Sequence, residues 1–315
     1  MSEKRALVTG GAGFIGSHVC DALIERGFHV AVVDDLSTGK RRNLAPDATF
    51  YEMDIRDRAV ADVFANEKPD VLFHLAAQMD VRRSVADPAY DADVNIGGTV
   101  NLLEAGRAAG LRKTIYAATG GAMYGEPTRL PADESTPIQP LCPYGISKGT
   151  VELYLELYRK LYQMSYTSLR YPNVYGPRQD PHGEAGVVAI FSQTMLCGKR
   201  PKMFGDGAMT RDYVFVGDVV AANMTALDKG DGARVNLGWG KEISVQQVFD
   251  GVRDAVGTDI EPQYVEERLG EVHHISLDAS KAKEILGWEP KVSLQDGLRE
   301  AVDFYRKLNA GEITR

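Results

Sequence analysis

The sequence has few cysteines, no excess of basic residues and no long apolar run, and each shortage excludes a class of protein. Its three cysteines (Cys20, Cys142 and Cys197) cannot all pair internally and form no CxxC motif, so a disulfide framework is not expected. The net charge of −8 disfavours the basic face that nucleic acids and anionic membranes require, so neither is an expected partner. Without an apolar run typical of a leader or a membrane span, we expect a cytoplasmic protein.

What remains is an ordinary globular composition. The chain has 315 residues, of which 44% are hydrophobic and 25% charged, which argues against disorder and leaves ample material for a core. This length suits one large α/β domain or two small ones. An acidic chain that binds an anionic ligand must hold it with a local cluster of arginines, lysines or helix N-termini.

Strand and helix patterns alternate over the first 170 residues or so. Short apolar runs predict strands at 5–8, 29–33, 49–53, 71–75, 114–118 and 166–171, with helical patterns at 15–26, 57–65, 89–109 and 144–162 between them. This alternation is typical of a Rossmann-type, doubly wound parallel sheet. We expect a dinucleotide-binding domain over residues 1–175.

The pattern becomes less regular after residue 171. Prolines and glycines are frequent, two further short strands are predicted at 212–215 and 234–237, and Ser244 and Ser293 are candidate helix N-caps. We expect a smaller α/β lobe over residues 176–315 that binds the substrate. Residues 211–245 are expected to return to the first domain.

A glycine cluster lies between the first strand and the first helix. Gly10, Gly13 and Gly16 fit GxxGxxG, and Gly11 in place of Gly10 fits GxGxxG. Such glycines allow a sharp turn, a close approach of pyrophosphate to the backbone, and tight helix packing. An acidic residue, Asp34, ends the next strand, where a carboxylate binds an adenosine ribose diol and repels a 2′-phosphate. The combination predicts NAD rather than NADP, although Lys40, Arg41 and Arg42 nearby leave NADP open unless they form a solvated loop.

A tyrosine and a lysine lie one helical turn apart in PYGISK. Tyr144 and Lys148 are four residues apart, so they share a helix face. The free phenol has a pKa of about 10, and a nearby ammonium or positive nicotinamide ring favours the phenolate and lowers that pKa. Such a tyrosine can remove the proton of a sugar hydroxyl while hydride leaves the same carbon.

Together these residues resemble the extended short-chain dehydrogenase/reductase family, and within it the NAD-dependent sugar-nucleotide epimerases. The resemblance covers essentially the whole chain. It rests on TGGAGFIGSH (9–18), VVDDLSTGK (32–40), HLAAQ (74–78), DVNIGGTVNLLEA (93–105), TGGAMYGE (119–126), PYGISK (143–148), RYPNVYGPRQ (170–179), RDYVFVGDV (211–219) and RLGE (268–271).

The resemblance implies a role for individual residues. Tyr144 would be the proton acceptor, with Lys148 holding the nicotinamide ribose and Thr119 beside the reacting hydroxyl. The other residues implied in NAD binding are Gly10, Gly13, Phe14, Ile15, Gly16, Asp34, Asp35, Leu36, Ser37, Thr38, Gly39, Asp54, Ile55, Leu75, Ala76, Ala77, Gln78, Asn95, Tyr171 and Val174. The residues implied in substrate binding are Thr119, Gly120, Tyr144, Asn173, Val187, Arg211 and Arg268.

Two departures from the family pattern bear on these roles. Many relatives have a Ser or Thr where an ungapped alignment through Tyr124 gives Gly120, so Thr119, one residue earlier, is the candidate hydroxyl. The residue after Arg268 is Leu269 rather than the usual proline.

The resemblance implies inversion at C4 of a UDP-hexose, such as UDP-glucose or UDP-galactose, through a transient 4-keto sugar. No acid follows Thr119, since residues 120–122 are Gly, Gly and Ala, which disfavours the family's dehydratases and decarboxylases. UDP-glucuronate or UDP-N-acetylhexosamine 4-epimerisation and 4-keto reduction remain open. Ile275 would leave room for an N-acetyl group where some relatives have a tyrosine, whereas Asp34 disfavours the NADPH that a reductase needs. A non-catalytic NAD sensor is the alternative from another class, although such proteins typically lose the Tyr or the Lys.

The resemblance also implies a homodimer. The predicted helices 89–109 and 144–162 match the pair that forms a four-helix interface in relatives, and Leu153, Leu157 and Leu161 would lie on one face, where a core-facing stripe would look the same. No metal is expected, because His273 and His274 have neither an HExxH motif nor a cysteine partner.

Overall fold

The computed structural model describes residues 4–181, 186–266 and 272–315. Its centre is a seven-stranded sheet with the strand order β11-β6-β5-β4-β1-β2-β3. The strands are β1 (Arg5–Thr9), β2 (His29–Asp34), β3 (Thr49–Glu52), β4 (Val71–His74), β5 (Lys113–Thr119), β6 (Ser165–Tyr171), β7 (Asn173–Tyr175), β8 (Lys202–Phe204), β9 (Thr210–Arg211), β10 (Tyr213–Phe215), β11 (Ala233–Asn236), β12 (Ile243–Ser244) and β13 (Gln263–Val265).

All neighbouring strands of this sheet run parallel. The chain therefore crosses over a face of the sheet between paired strands, and helices cover both faces. The order changes direction at β1, where β2 lies on one side and β4 on the other, and ligands of such sheets bind at that point beyond the carboxyl ends of the strands. The predicted Rossmann-type α/β fold is confirmed.

Helices account for most of the remaining chain. They are α1 (Phe14–Glu25), α2 (Val60–Glu67), α3 (Val81–Ala86), α4 (Pro88–Ala92), α5 (Gly98–Ala109), α6 (Gly120–Met123), α7 (Pro143–Tyr162), α8 (Val187–Leu196), α9 (Val216–Ala226), α10 (Val245–Val256), α11 (Ser280–Leu286) and α12 (Leu294–Asn309), with a 3₁₀ turn at Arg41–Asn43. Ser244 and Ser293 cap α10 and α12, as predicted, and each side-chain oxygen accepts a backbone N–H of the first turn.

The two faces of the sheet bury separate cores. Because strand side chains alternate, Ala6 and Val8 of β1 point into one core with α1 and α9, whereas Leu7 points into the other with α2, α5 and α7. A third core joins α8, α10 and α12 in the C-terminal part of the chain. This burial on both faces explains why the strands are continuous apolar runs.

One predicted helix has a different form. The pattern at 89–109 predicts a single helix, but α4 and α5 are joined by a π-helical turn over Asp93–Gly97. Apolar periodicity does not reveal such a turn, which is most often found at functional sites. Here it carries Asn95.

The chain returns to the sheet late in the sequence. The last strand of the sheet, β11, pairs with β6, and α9 packs against α1 on one face. The division into an NAD-binding domain (1–175 with 211–245) and a substrate lobe (176–315) stays a prediction. No helix in the described ranges is long and apolar enough to span a membrane.

Candidate active site

The glycine cluster forms a tight cradle between β1 and α1. Gly10 has a φ of +73°, and a Cβ on it would lie 2.7 Å from the backbone nitrogen of Ala76. A Cβ on Gly16 would lie 2.1 Å from the carbonyl oxygen of Gly10, and the Gly13 N–H donates to that oxygen at 3.1 Å. Only glycine fits at positions 10 and 16. Because no side chain covers the turn there, its backbone is accessible at the N-terminus of α1.

Asp34 ends β2 beside this cradle. Its buried carboxylate accepts the N–H of Ala12 at 2.9 Å and the N–H of Leu36, also at 2.9 Å. Burial raises the pKa of Asp34, and the two backbone hydrogen bonds oppose that rise. A Cβ on Gly39 would lie 2.6 Å from Asp34 Oδ1, so the loop from 35 to 39 closes directly over the carboxylate.

The rest of this loop is polar and mostly exposed. Asp35 accepts the N–H and the hydroxyl of Ser37, at 2.9 and 2.6 Å. Thr38 is exposed, while Phe14 and Ile15 open α1 half-buried. Lys40 lies 3.1 Å from Asp180, and Arg41 pairs with Glu52. Two of the three basic residues that left NADP as a possible cofactor are therefore paired with acidic residues.

The opposite side of the cleft is formed by the chain after β3 and β4. Leu75, Ala76 and Ala77 follow β4 and are half-buried. Ile55 is buried, and Asp54 pairs with the Arg56 guanidinium at 2.5 Å, which holds the pKa of its carboxyl below the usual range. These predicted NAD-binding residues therefore lie at the same sheet edge as the cradle.

Tyr144 and Lys148 lie in the first turns of α7. The Lys148 ammonium donates to the carbonyl oxygen of Ala117 at 2.8 Å and lies 5.9 Å from the centre of the Tyr144 ring. No group in the described ranges hydrogen-bonds the Tyr144 hydroxyl, which leaves it open to a ligand.

The electrostatics of the pair differ from the sequence-based expectation. Burial raises the pKa of Tyr144 above its usual value, and the charges of Cys142 and Asp91 add to the rise. Burial also lowers the pKa of Lys148 to about 7, and the ammonium is not among the charges that shift the pKa of Tyr144. Any lowering must come with the positive charge of a bound ligand.

Thr119 is the hydroxyl on the site side of β5. Its Oγ1 accepts the N–H of Ala122 at 3.3 Å, and both Thr119 Oγ1 and Asn173 Oδ1 lie within 4 Å of the point where a Cβ on Gly121 would be. A Cβ on Gly120 instead would lie 2.3 Å from Leu277 Cδ1. Position 120 therefore faces Leu277 and cannot carry a hydroxyl, which favours Thr119.

A close helix contact brings these groups together. A Cβ on Gly145 would lie 2.4 Å from the carbonyl oxygen of Ala122, so the start of α7 rests directly on α6. This contact places Tyr144 beside the segment that holds Thr119.

Two further predicted substrate residues lie on different elements of the fold. Arg211, on β9, donates to the carbonyl oxygens of Thr210 at 2.8 Å and His273 at 3.3 Å. Val187 begins α8 and is half-buried. Arg268, with the rest of RLGE, lies outside the described residues.

Tyr171 is the last residue of β6, and Val174 lies on β7. Tyr171 is buried, and its hydroxyl donates to Asn223 Oδ1 of α9 at 3.1 Å, so its side chain is turned into the core rather than into the cleft. Val174, on β7, is half-buried against the same core.

Asn95 and Gln78 are held in a buried network. The Asn95 amide donates to Gln78 O at 2.9 Å and to Asp91 Oδ1 at 3.0 Å, and its oxygen accepts the Gln78 N–H. The Gln78 amide also donates to Asp91, at 3.0 Å. Ser147, beside Lys148, completes the network with a 2.7 Å hydrogen bond to Asp91 Oδ2.

Sequence reasoning missed Asp91 and Ser147. A signal was present, because Asp91 and Asn95 are four residues apart and would share a face of the predicted helix. Nothing in the sequence shows that this face meets α7.

His74 is a packing residue of the core, and His274 is a loop residue. His74 is buried between the hydroxyls of Thr9 and Thr99, both at 2.8 Å. His274 lies 2.9 Å from Thr210 Oγ1 and 3.2 Å from Glu242. Across the part of the chain that the structure describes, no three His, Cys, Asp or Glu side chains form a metal-binding group.

Comparison with known proteins decides the family. The model of the NAD dependent epimerase/dehydratase family matches residues 6–238, more than half of the chain. The chain belongs to the NAD-dependent epimerase/dehydratase family. The resemblance to short-chain dehydrogenase-type epimerases is thereby confirmed, as is NAD as the cofactor.

Individual members of this family match over nearly their full length. The UDP-glucose 4-epimerase of Mycolicibacterium smegmatis is 47% identical over 308 residues, covering 96% of this chain and 98% of the relative. The structure of UDP-glucose 4-epimerase from Thermotoga maritima with UDP-glucose has a TM-score of 0.95 at 51% identity, covering 97% and 99% of the two chains. That of the Thermus thermophilus enzyme in complex with NAD has a TM-score of 0.91 at 44% identity, covering 96% and 99%.

The residues of this family member fit NAD. The cradle at Gly10 and Gly16 has no room for a Cβ, so backbone N–H groups can approach a pyrophosphate. Asp34 uses one hydrogen bond on each carboxylate oxygen, which leaves lone pairs for a ribose diol. Asn95 donates both amide hydrogens within the protein, to Gln78 and Asp91, so it supports the site through these residues and not by donating to a ligand. The roles of individual residues stay predictions.

Proposed function

We propose that this chain catalyses the NAD-dependent interconversion of UDP-glucose and UDP-galactose by inversion at C4. The Tyr144–Lys148 pair carries the proposal. Its phenol hydroxyl has no hydrogen-bond partner among the described residues, and Gly145 next to Tyr144 packs on the carbonyl oxygen of Ala122, three residues after Thr119. Relatives named UDP-glucose 4-epimerase at 47% and 51% identity over nearly the whole chain support it.

The chain's own residues supply the acid–base chemistry. Bound NAD supplies the acceptor that takes the C4 hydride and returns it. Tyr144 accepts the proton of the 4-hydroxyl on its phenol oxygen and later donates it back to the sugar oxygen. Thr119 Oγ1 hydrogen-bonds that hydroxyl and orients it.

Binding at the nucleotide end differs from binding at the sugar end. Arg211, with Asn173 and Arg268, is proposed to hold the diphosphate, because a guanidinium matches phosphate geometry and an acidic protein needs local cations for a dianion. The pyranose must stay loosely held, since inversion requires the 4-keto sugar to present its other face.

The proposal is tested by incubating the purified protein, without added cofactor, with UDP-, dTDP- and GDP-sugars in separate reactions. We expect conversion of UDP-glucose and UDP-galactose into one another. Conversion only of UDP-glucuronate or of UDP-N-acetylglucosamine would assign a different sugar. Bound NAD without conversion of any sugar would favour a sensor.

We also propose a cytoplasmic homodimer built on α7. Ile146, Leu153, Leu157 and Leu161 are exposed along one face of this helix, and Leu153 and Leu161 keep 65% and 60% of their surface. Exposing such a row of apolar side chains to water is unfavourable in free energy, and such rows are typical of an interface between copies of a chain.

A further inference from the structure

Asp91 is a fully buried carboxylate at the end of α4. Its Oδ1 accepts the amides of Gln78 and Asn95, both at 3.0 Å, and its Oδ2 accepts the Ser147 hydroxyl at 2.7 Å. Three donors from three segments thus converge on one anion.

Within the described ranges this anion has no direct counter-ion. Among the described residues no Arg, Lys or His forms an ion pair with Asp91, although a buried carboxylate is costly unless a positive charge balances it. Lys148, a cation of the candidate site, follows Ser147 directly in the chain. The charge of Asp91 raises the pKa of Lys148, against the burial that lowers it to about 7.

The other groups around Lys148 do not supply a compensating negative charge. The ammonium lies 4.8 Å from the centre of the Tyr116 ring on β5 and 5.9 Å from that of Tyr144 on its own helix. His74 on β4 is neutral at physiological pH, since burial lowers its pKa to about 3. Glu152, farther along α7, is paired with Arg170 at 2.6 Å.

We propose that Asp91 is a positioning residue for the Tyr144–Lys148 pair. Its hydrogen bond to Ser147 fixes the first turns of α7 against the helix that carries Asn95, and its buried charge favours the protonated form of Lys148. The proposal deepens the proposed function and rests on it only for the activity measurement described below.

Asp91→Asn tests the charge while keeping the shape. The amide oxygen can accept from Gln78 and Asn95, and the Ser147 hydroxyl can turn to accept from the amide nitrogen. Because the charge of Asp91 favours the protonated forms of both Lys148 and Tyr144, its removal is expected to shift both limbs of the pH–rate profile to lower pH by about one pH unit. KM for the UDP-sugar should stay within about twofold of the original value.

A second readout does not depend on turnover. The ionisation of Tyr144 is followed by ultraviolet absorbance of tyrosinate in the NAD-loaded protein. The signal of Tyr144 is obtained by subtracting the titration of the same protein with Tyr144→Phe. We expect this titration to occur at lower pH in Asp91→Asn than in the original chain. Asp93→Asn is the matched control, since it removes the same charge two residues away, where the carboxylate is 62% exposed and paired with Arg56.

The Ser147→Ala variant is the alternative test if the Asp91→Asn variant does not fold. It keeps the charge of Asp91 but removes one donor, so the Tyr144 titration should move to higher pH. A titration of Asp91→Asn that coincides with the original, or one of Ser147→Ala that is unmoved or lower, would overturn the proposal. If no sugar is converted yet the titrations shift as stated, the proposed function fails and the role of Asp91 stands.

Discussion

At the scale of single residues, the space left by neighbouring atoms determines which side chain a position in this site can hold. Gly120 cannot carry a side chain because Leu277 fills the space beside it, whereas the Thr119 hydroxyl lies within 4 Å of the open space beside Gly121. The sequence alone predicted the Tyr–Lys pair and the glycine cradle from spacing. It made Thr119 the candidate hydroxyl but could not show that position 120 has no room for a side chain, because the contact with Leu277 joins segments that are far apart in the chain.

Replacing Tyr144 by Phe isolates the proton transfer. The variant keeps the ring and its packing but loses the atom that accepts the 4-hydroxyl proton. We expect turnover to fall by about 10²–10⁴-fold with NAD still bound. The measurements are the rate of UDP-galactose formation and the NAD content of the purified protein; near-full activity would exclude Tyr144 as the base.

His74 gives the protein a specific sensitivity to acid. Burial, with a smaller contribution from the charge of Lys148, lowers its pKa from 6.5 to about 3. The unfolded chain therefore takes up this proton between pH 6.5 and 3 and the folded chain does not, so stability falls as pH falls through that window.

His74→Gln should remove this part of the acid sensitivity. The variant is expected to be less stable at neutral pH, because it cannot satisfy both Thr9 and Thr99, yet its free energy of unfolding should fall less steeply on acidification. Urea unfolding at several pH values measures both slopes. Equal slopes would mean that His74 is already protonated in the folded state.

At the level of elements, the site depends on how α7 meets α6 and the π-helical turn. The strands and α7 were predictable because buried parallel strands are continuous apolar runs and α7 follows a helical pattern. The π-helical turn at Asp93–Gly97 was not, because its register is set by the hydrogen bonds of Asn95 and Asp91 and not by apolar spacing.

The contact between α7 and α6 can be tested with two glycines of one helix. In Gly145→Ala the new Cβ would lie 2.4 Å from the Ala122 carbonyl oxygen, so α7 must move and Tyr144 with it. A displacement of about 1 Å can cost about 10²-fold in turnover. We expect that loss in kcat, measured with UDP-glucose.

Gly149→Ala is the control on the same helix face. Its Cβ would meet Ile138 Cγ2 and Met123 Cε at an ordinary 3.6 Å. Alanine also favours a helix by about 0.5–1 kcal/mol over glycine, so this variant should keep its activity and unfold at equal or higher temperature. Equal kcat values in the two variants would show that the helix contact does not position Tyr144.

At the scale of the whole molecule, the apolar face of α7 is the feature that a monomer does not explain. Leu153→Glu with Leu157→Glu would place two charges in the proposed interface. We expect the original chain to sediment as a dimer and the double variant as a monomer that still binds NAD. An original chain that sediments as a monomer at micromolar concentration would contradict the dimer.

The central claim is that C4 of the sugar loses a hydride and regains the same one on its other face. The most direct measurement uses UDP-glucose carrying deuterium at C4, incubated with the purified protein without added cofactor. We expect UDP-galactose that keeps the deuterium at C4, and none from Tyr144→Phe on the same timescale. Product that has exchanged the C4 deuterium with solvent hydrogen, or no product from the original chain, would contradict the account.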